Sequence, residues 1–323
     1  MSESMAAAGV TGAGVTVVPA GWGMVALLIL GSLAVFAAAL DGALTARANG
    51  AAGGLTRPFG ETARLLRQRR RKTVEADSLL WRIGSSGLLV TAALMVSVVP
   101  LGEWTIFDLD VGVMWFNAMD VAVWAVVWLT GWGANSAHSL VGGYRFLAHG
   151  LGYELPLMFA LVAPAIAAGS LNVGQVAAAQ ERLWFAVWMP VAFLVYLLGV
   201  VAFSVSGPFA PAIGTDVAGG VRSELSGPDR LVFEAGRYAL LAAGAAFAVP
   251  MFLGGGAGPL LPGWAWVLVK TVALLTVLVW ARRRVPALRP DKFMEVGWMV
   301  LLPAVLVQDL VVAVVAVVAA GRG

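Results

Sequence analysis

Arg145 and Glu154 stand in the stretch Gly131-Trp-Gly-Ala-Asn-Ser-Ala-His-Ser-Leu-Val-Gly-Gly-Tyr-Arg145-Phe-Leu-Ala-His149-Gly-Leu-Gly-Tyr-Glu154-Leu-Pro156, between two apolar runs. A charge at membrane depth costs about 2.5–3.5 kcal/mol on insertion scales at a helix centre. An acid that opens an apolar run, beside a polar and glycine-rich basic segment, therefore marks a functional site. Asp41, Asp120, Lys270 and Asp309 fall within or at the ends of other apolar runs. Carboxyl groups inside a helical bundle are the usual material of proton relays, because leaving water penalises their ionised form. Each also has a plainer reading. Asp41 lies near a helix end and suits an interfacial group, Asp309 suits a weakly required buried polar group, Asp120 faces protein, and Lys270 is expected to pair with a carboxylate. His138, Arg145 and His149 are seven and four residues apart and would share a face only on one continuous helix. Two histidines and an arginine lack the third ligand of a metal site.

The elements that position these groups follow from composition. The chain has 323 residues, 60% of them hydrophobic and 12% charged, with mean hydropathy +0.87. A span needs about 20 apolar residues to cross about 30 Å of hydrocarbon. The apolar runs here are continuous rather than alternating, which indicates helices rather than a barrel. With no cysteine and two histidines, the chain has no ligands for an iron–sulfur cluster or a multi-histidine haem or zinc site, so any redox cofactor belongs to another subunit.

Eight apolar segments are expected, near 22–46, 82–101, 113–133, 153–170, 183–203, 237–253, 262–281 and 296–319. The fold class is all-α: a polytopic membrane bundle of about eight helices, one domain over 22–319 after a flexible tail at 1–21. Basic residues crowd the loops near 47–82, 134–152, 204–236 and 282–295, while the alternate loops hold little beyond Arg182. By the positive-inside rule the rich loops are cytoplasmic, and an even span count places both termini on the other side. The run from Arg67 to Lys72 beside a span reads as an orientation signal or an anionic-lipid contact rather than a nucleic-acid site. Phe59, Ala63 and Leu66, at i, i+4 and i+7, predict a short amphipathic helix on the membrane surface or against a partner. Pro156 suits a helical first turn, which would put Glu154 at the start of the fourth span.

Three motifs resemble the H-type subunit, the quinone-site membrane subunit, of bacterial NADH:quinone oxidoreductase (respiratory complex I). Gly131-Trp132, Asn135-Ser136, Arg145 and Tyr153-Glu154 fall in register with that family's third-to-fourth loop. The run from Pro58 to Leu66 matches its surface motif, with Glu61 at the family's Asp and Arg64 at its Lys. The run from Trp280 to Met294, then Gly297-Trp298 and Leu301-Leu302-Pro303, matches near the C-terminus, and Lys270 falls at the family's Leu-Lys. There are departures. The family's Ala-Glu-Thr-Asn-Arg-x-Pro-Phe-Asp reads here as Ala202-Phe203-Ser204-Val205-Ser206-Gly207-Pro208-Phe209-Ala210, without its Glu, Arg and Asp. A Glu near the start of the sixth span is replaced by Arg237, with Glu234 one turn earlier. Asp216 and Glu224 remain, and the first loop is shortened. The chain thus resembles a divergent paralogue. The stretch Glu224-Leu-Ser-Gly-Pro-Asp229 is also similar to the equivalent subunits of membrane-bound nickel–iron hydrogenases and formate hydrogenlyase.

The resemblance implies a multi-pass subunit of the bacterial inner membrane, acting only within a multisubunit enzyme. NADH, flavin and iron–sulfur clusters would belong to peripheral partners, quinone would be the substrate, and other complex I subunits and membrane lipids, but no nucleic acid, would be the partners. Glu61, Arg64, Arg145, Glu154, Asp216, Glu224 and Arg282 are the residues it implicates in the quinone tunnel and proton coupling, with Asp41, Asp120 and Lys270 as further intramembrane charges. Because the chain lacks cysteine, single introduced cysteines can report sidedness. Arg69→Cys and Arg284→Cys are expected to react with a membrane-impermeant maleimide only from the cytoplasmic side, and Gly323→Cys only from the opposite side; the reverse pattern would invert the topology.

Overall fold

A computed structural model describes residues 15–214 and 219–320. Twelve α-helices are described, with one two-stranded parallel pairing of β1 (Thr16–Val17) with β2 (Trp104–Thr105). The helices are α1 (Gly23–Ala48), α2 (Arg57–Arg67), α3 (Ser78–Val96), α4 (Gly112–Gly133), α5 (Ala137–Ala168), α6 (Val173–Ala178), α7 (Phe185–Trp188), α8 (Pro190–Phe203), α9 (Gly227–Phe252), α10 (Gly263–Ala281), α11 (Pro290–Val296) and α12 (Leu302–Ala320). Among the described residues, eight stretches are long and apolar enough to cross a membrane: α1, α3, α4, α5, α8 with the 3₁₀ turn Gly207–Ile213, α9, α10, and α11 continuing through a π-helical turn into α12. The expected all-α, eight-helix architecture is present, and part of the segment read as a flexible tail is the strand at Thr16–Val17.

Local chemistry sets the helix ends. The Asp77 carboxylate accepts from the backbone N–H groups of Leu79 and Leu80 and caps α3. Gly169 takes the left-handed conformation, φ 62°, that ends α5. Proline occupies the first turn of α2, α8, α9 and α11, where its missing N–H leaves no bond unmade.

Helix α9 is the axis of the bundle, with α1, α3, α8 and α10 packed around it. Every residue from Ala239 to Phe252 is buried. The run is rich in alanine, and small residues let neighbouring helices approach closely where no hydrophobic force separates lipid from protein. Around it, Phe116 of α4 stacks on Phe247 at 3.8 Å between ring centroids, and the Tyr196 hydroxyl of α8 donates to the Gly244 carbonyl at 2.8 Å.

Among the expected boundaries that shift, three start earlier because polar or glycine-rich sequence reads as loop but is helix. Helix α5 starts at Ala137, so the expected 134–152 loop is helical almost throughout, and Pro156 lies inside a 32-residue helix. Helix α9 starts at Gly227 rather than near 237, because its polar first turns meet arginines: Asp229 forms a two-pronged ion pair with Arg70, one arm being Nη2 to Oδ1 at 2.5 Å. The last span starts at Pro290, ahead of the expected 296. A side chain at Gly236 of α9 would collide with Leu88 and Leu89 of α3. Gly236→Val is therefore expected to destabilise the bundle by about 1–3 kcal/mol, the usual effect of overpacking, lowering the thermal unfolding midpoint of the chain in detergent micelles.

Candidate functional site

Helices α4 and α5 form a hairpin, joined by the turn at 134–136. On α4, Asn117, Asp120 and Trp124 fall at i, i+3 and i+7 and share a face. On α5 that face meets Tyr153 and Glu154. The Trp124 indole N–H donates to the Tyr153 hydroxyl at 3.0 Å, and that hydroxyl lies near the Asp120 carboxyl. The Asn117 amide reaches Glu154 Oε1 at 3.5 Å. Asp120 is fully buried, and no group donates to either of its oxygens with good geometry; Glu154 Oε2 is in the same condition. The carboxyl group that each faces is the other's. Two ionised carboxylates offer only acceptors, so this contact becomes a hydrogen bond when one proton sits between them. No cation forms an ion pair with either among the described residues.

Glycine and proline make room for this arrangement. A side chain at Gly150 would collide with the Trp124 ring that supports Tyr153. Pro156, two residues past Glu154, supplies no N–H to the Gly152 carbonyl. Gly297, in the π-helical turn Gly297–Leu301, packs directly on that carbonyl, and the Trp298 indole donates to the Leu151 carbonyl at 3.0 Å. His149, on the same helix, is buried in edge contact with Phe209 and Phe293, its Nε2 3.3 Å from the Leu288 carbonyl.

A second, ionic band lies where α1, α9, α10 and the 204–207 turn meet. Asp41 of α1 faces Arg282 at 3.0 Å and Arg283 at 2.9 Å, and accepts from the Tyr238 hydroxyl at 2.9 Å. Arg283 also donates to the Thr45 hydroxyl and the Asp41 carbonyl, and buried Arg282 donates to Ser206 Oγ at 3.0 Å. Next to it, Glu234 sits between Arg222 at 2.9 Å and Arg237 at 2.6 Å, and Arg237 also donates to the Val205 carbonyl.

The structure distributes the sequence-predicted residues among these places. Asp120 and Glu154 come together; Asp41 and Arg282 come together. Arg145 lies nine residues before Glu154 on α5, about 13 Å along the helix, and reaches the Pro211 carbonyl at 3.5 Å. Glu224 accepts from Ser136 Oγ at 2.8 Å and ties the fifth-to-sixth connection to the start of α5. Glu61 and Arg64 pair with each other on the exposed face of α2, and the guanidinium hydrogen bond holds the Glu61 carboxyl below its ordinary range. Asp216 lies outside the described residues. Lys270 corrects an expectation: its ammonium donates to the carbonyls of Leu253, Gly255 and Ala257 at 2.7–2.9 Å and lies over the Trp184 ring, so backbone rather than a carboxylate takes its charge. Asp309 shares the buried face of α12 with Val305 and Val312, its oxygens receiving no hydrogen bond. Sequence reasoning passed over Asn117, Trp124, Tyr238 and Arg283. The i, i+3, i+7 spacing through Asp120 was the available signal for the first two.

The chain matches the family model described as NADH dehydrogenase over residues 17–313. Among curated relatives it is 35% identical over 270 residues to the second H-type subunit of the NADH-quinone oxidoreductase of Geobacter sulfurreducens, covering 80% of this chain and 82% of the relative. It is also 35% identical over 270 residues to the first H-type subunit of the enzyme of Geobacter metallireducens, with the same shares. To the H-type subunit of Geobacillus kaustophilus it is 32% identical over 268 residues, covering 81% and 80%. If the ionic band fixes α1 against α10, Arg282→Leu is expected to destabilise the chain by less than the roughly 3–5 kcal/mol of a wholly stranded buried charge, because Arg283 and Tyr238 still hold Asp41; denaturant titration in micelles measures it.

Proposed function

The chain belongs to the NADH dehydrogenase family, and from that premise we propose that it is the quinone-site membrane subunit of an NADH:quinone oxidoreductase, with Asp120 and Glu154 as the proton-holding pair that links quinone chemistry to proton translocation. It is a multi-pass protein of the bacterial inner membrane, with the arginine-rich connections after α1, α8 and α10, and the Arg145 end of α5, cytoplasmic and both termini opposite. Peripheral partners oxidise NADH and carry flavin and iron–sulfur clusters, for which this cysteine-free chain has no ligands. Quinone reaches the last cluster along a tunnel walled by the cytoplasmic ends of the spans and by α2, whose exposed Phe59 and Leu66 suit the lipid boundary.

The observation that carries the reading is the carboxyl pair, Asp120 fully buried and Glu154 half-buried, with no cation paired to it among the described residues. Reduction of a quinone to a quinol takes two electrons and two protons. A change of charge at the cytoplasmic end alters the cost of holding a proton on Asp120 and Glu154, which have no fixed cation to set their state. The other acids in the bundle's ionic band stay ionised against arginine. Asp41 and Glu234 therefore serve as fixed charges, with Arg145, Arg282 and Glu224 shaping the path on the cytoplasmic side. Glu61 and Arg64 belong to the surface helix, and Asp216 falls in the fifth-to-sixth connection of the sequence. Proton movement passes on to the other membrane subunits of the complex.

In the assembled complex, Glu154→Gln and Asp120→Asn are each expected to lower quinone-coupled proton translocation at least tenfold, while NADH oxidation by a hydrophilic acceptor at the peripheral subunits is unchanged. Full pumping by both variants would sink the proposal. Glu234→Gln is expected to act on stability, not on the pH profile of quinone reduction.

A further inference from the structure

Helices α1 and α10 part along a groove of about 200 Å³ lined by Leu40, Leu44, Thr276, Val277 and Trp280. The only hydroxyl in that wall, Thr276 Oγ1, is spent on the Val272 carbonyl, so the groove offers hydrocarbon alone. Both helices end at the same side, since Arg283 at the end of α10 binds Asp41 and Thr45 near the end of α1. Leu40 precedes the end of α1 at Ala48 by eight residues and Thr276 precedes Ala281 by five, so the groove lies within about 12 Å of those ends by helix rise. Two further guanidinium groups stand at its mouth. Arg47 follows Leu44 by three residues in the last turn of α1. Arg284 lies over the exposed Trp280 ring, 4.8 Å from its centroid. Both arginines are exposed, and neither has a carboxylate partner among the described residues.

We propose that this groove holds an acyl chain of an anionic glycerophospholipid whose phosphate is bound by Arg47 and Arg284. The apolar trough takes hydrocarbon, the tryptophan sits at the headgroup level that indole favours, and a guanidinium with one face on an aromatic ring keeps its N–H fork for phosphate. The carbonyl ends of α1 and α10 would repel an anion, and the arginines reverse that sign. An uncharged quinone headgroup gains nothing from the two cations, and free phosphate gains nothing from the trough, so their combination selects a lipid with both parts. The site is independent of the quinone reading: it needs only a membrane on this face of α1 and α10.

Native mass spectrometry of the purified full-length chain, delipidated and then offered phosphatidylglycerol or phosphatidylcholine of identical acyl chains, tests it. Phosphatidylglycerol is expected to be retained roughly tenfold better or more. The exposed double substitution Arg47→Gln with Arg284→Gln should erase that preference, and Val277→Trp, which fills the trough, should remove the bound lipid of either kind, with the unfolding midpoint of the double variant unchanged. Equal retention of the two lipids by the unaltered chain, or a preference that survives the double substitution, would overturn the proposal, as would displacement of the lipid by equimolar short-chain quinone.

Discussion

A charge taken out of water must be met by an opposite charge, by several dipoles or by a proton, because isolated it costs several kcal/mol or more. That constraint organises this bundle. Asp41, Asp229 and Glu234 are met by arginines. Lys270 is met by three carbonyls just past the end of α9. Asp120 and Glu154 are met by neither: each faces a carboxyl group, with a tyrosine hydroxyl and an amide as support. The first two solutions fix a charge permanently. The third depends on a proton, and a proton can be moved.

The rest of the packing serves to keep that third arrangement dry and in register. The pair lies about 21–27 Å from the turn that joins α4 and α5, by helix rise, and α9 fills the bundle behind it with small side chains. Tyr153 is held by Trp124, and Trp124 has space because residue 150 is glycine. The interruption at Pro156 would expose a carbonyl in the hydrocarbon, and the π-helical turn at Gly297 packs against it. Irregular backbone is tolerated at this depth where protein covers it, and these two interruptions, Pro156 and the π-helical turn, meet each other one turn from Glu154.

Much of this was legible in the sequence. Helix number and class follow from hydrocarbon length, which composition reports directly, and the motifs around Glu154, Pro58 and Trp280 locate the family. Boundaries were less legible, because glycine and charge signal loop only until another element covers them; Gly142, Gly143 and Gly150 are helical because side chains and backbone from elsewhere press against them. Pairings were the least legible. Arg145 and Glu154 look like partners in sequence, yet helical geometry sets them about two and a half turns apart, and the group that meets Glu154 is Asp120, thirty-four residues earlier. No local pattern encodes a contact between antiparallel helices except the face that each residue occupies.

The replacement at Arg237 acquires a physical meaning from these contacts. An acid there, beside Glu234 and near Asp41, would add negative charge to a region already holding two carboxylates. The arginine instead clamps Glu234 and reaches the Val205 carbonyl in the 204–207 turn. Arg282 donates to Ser206 in the same turn. These contacts cross-link the 204–207 turn, Glu234 and Arg282 into an ionic girdle. Such a girdle can transmit charge only as a rigid body, by shifting α1, α9 and α10 together. The carboxyl pair on α4 and α5 stands outside that girdle, with no arginine paired to it among the described residues.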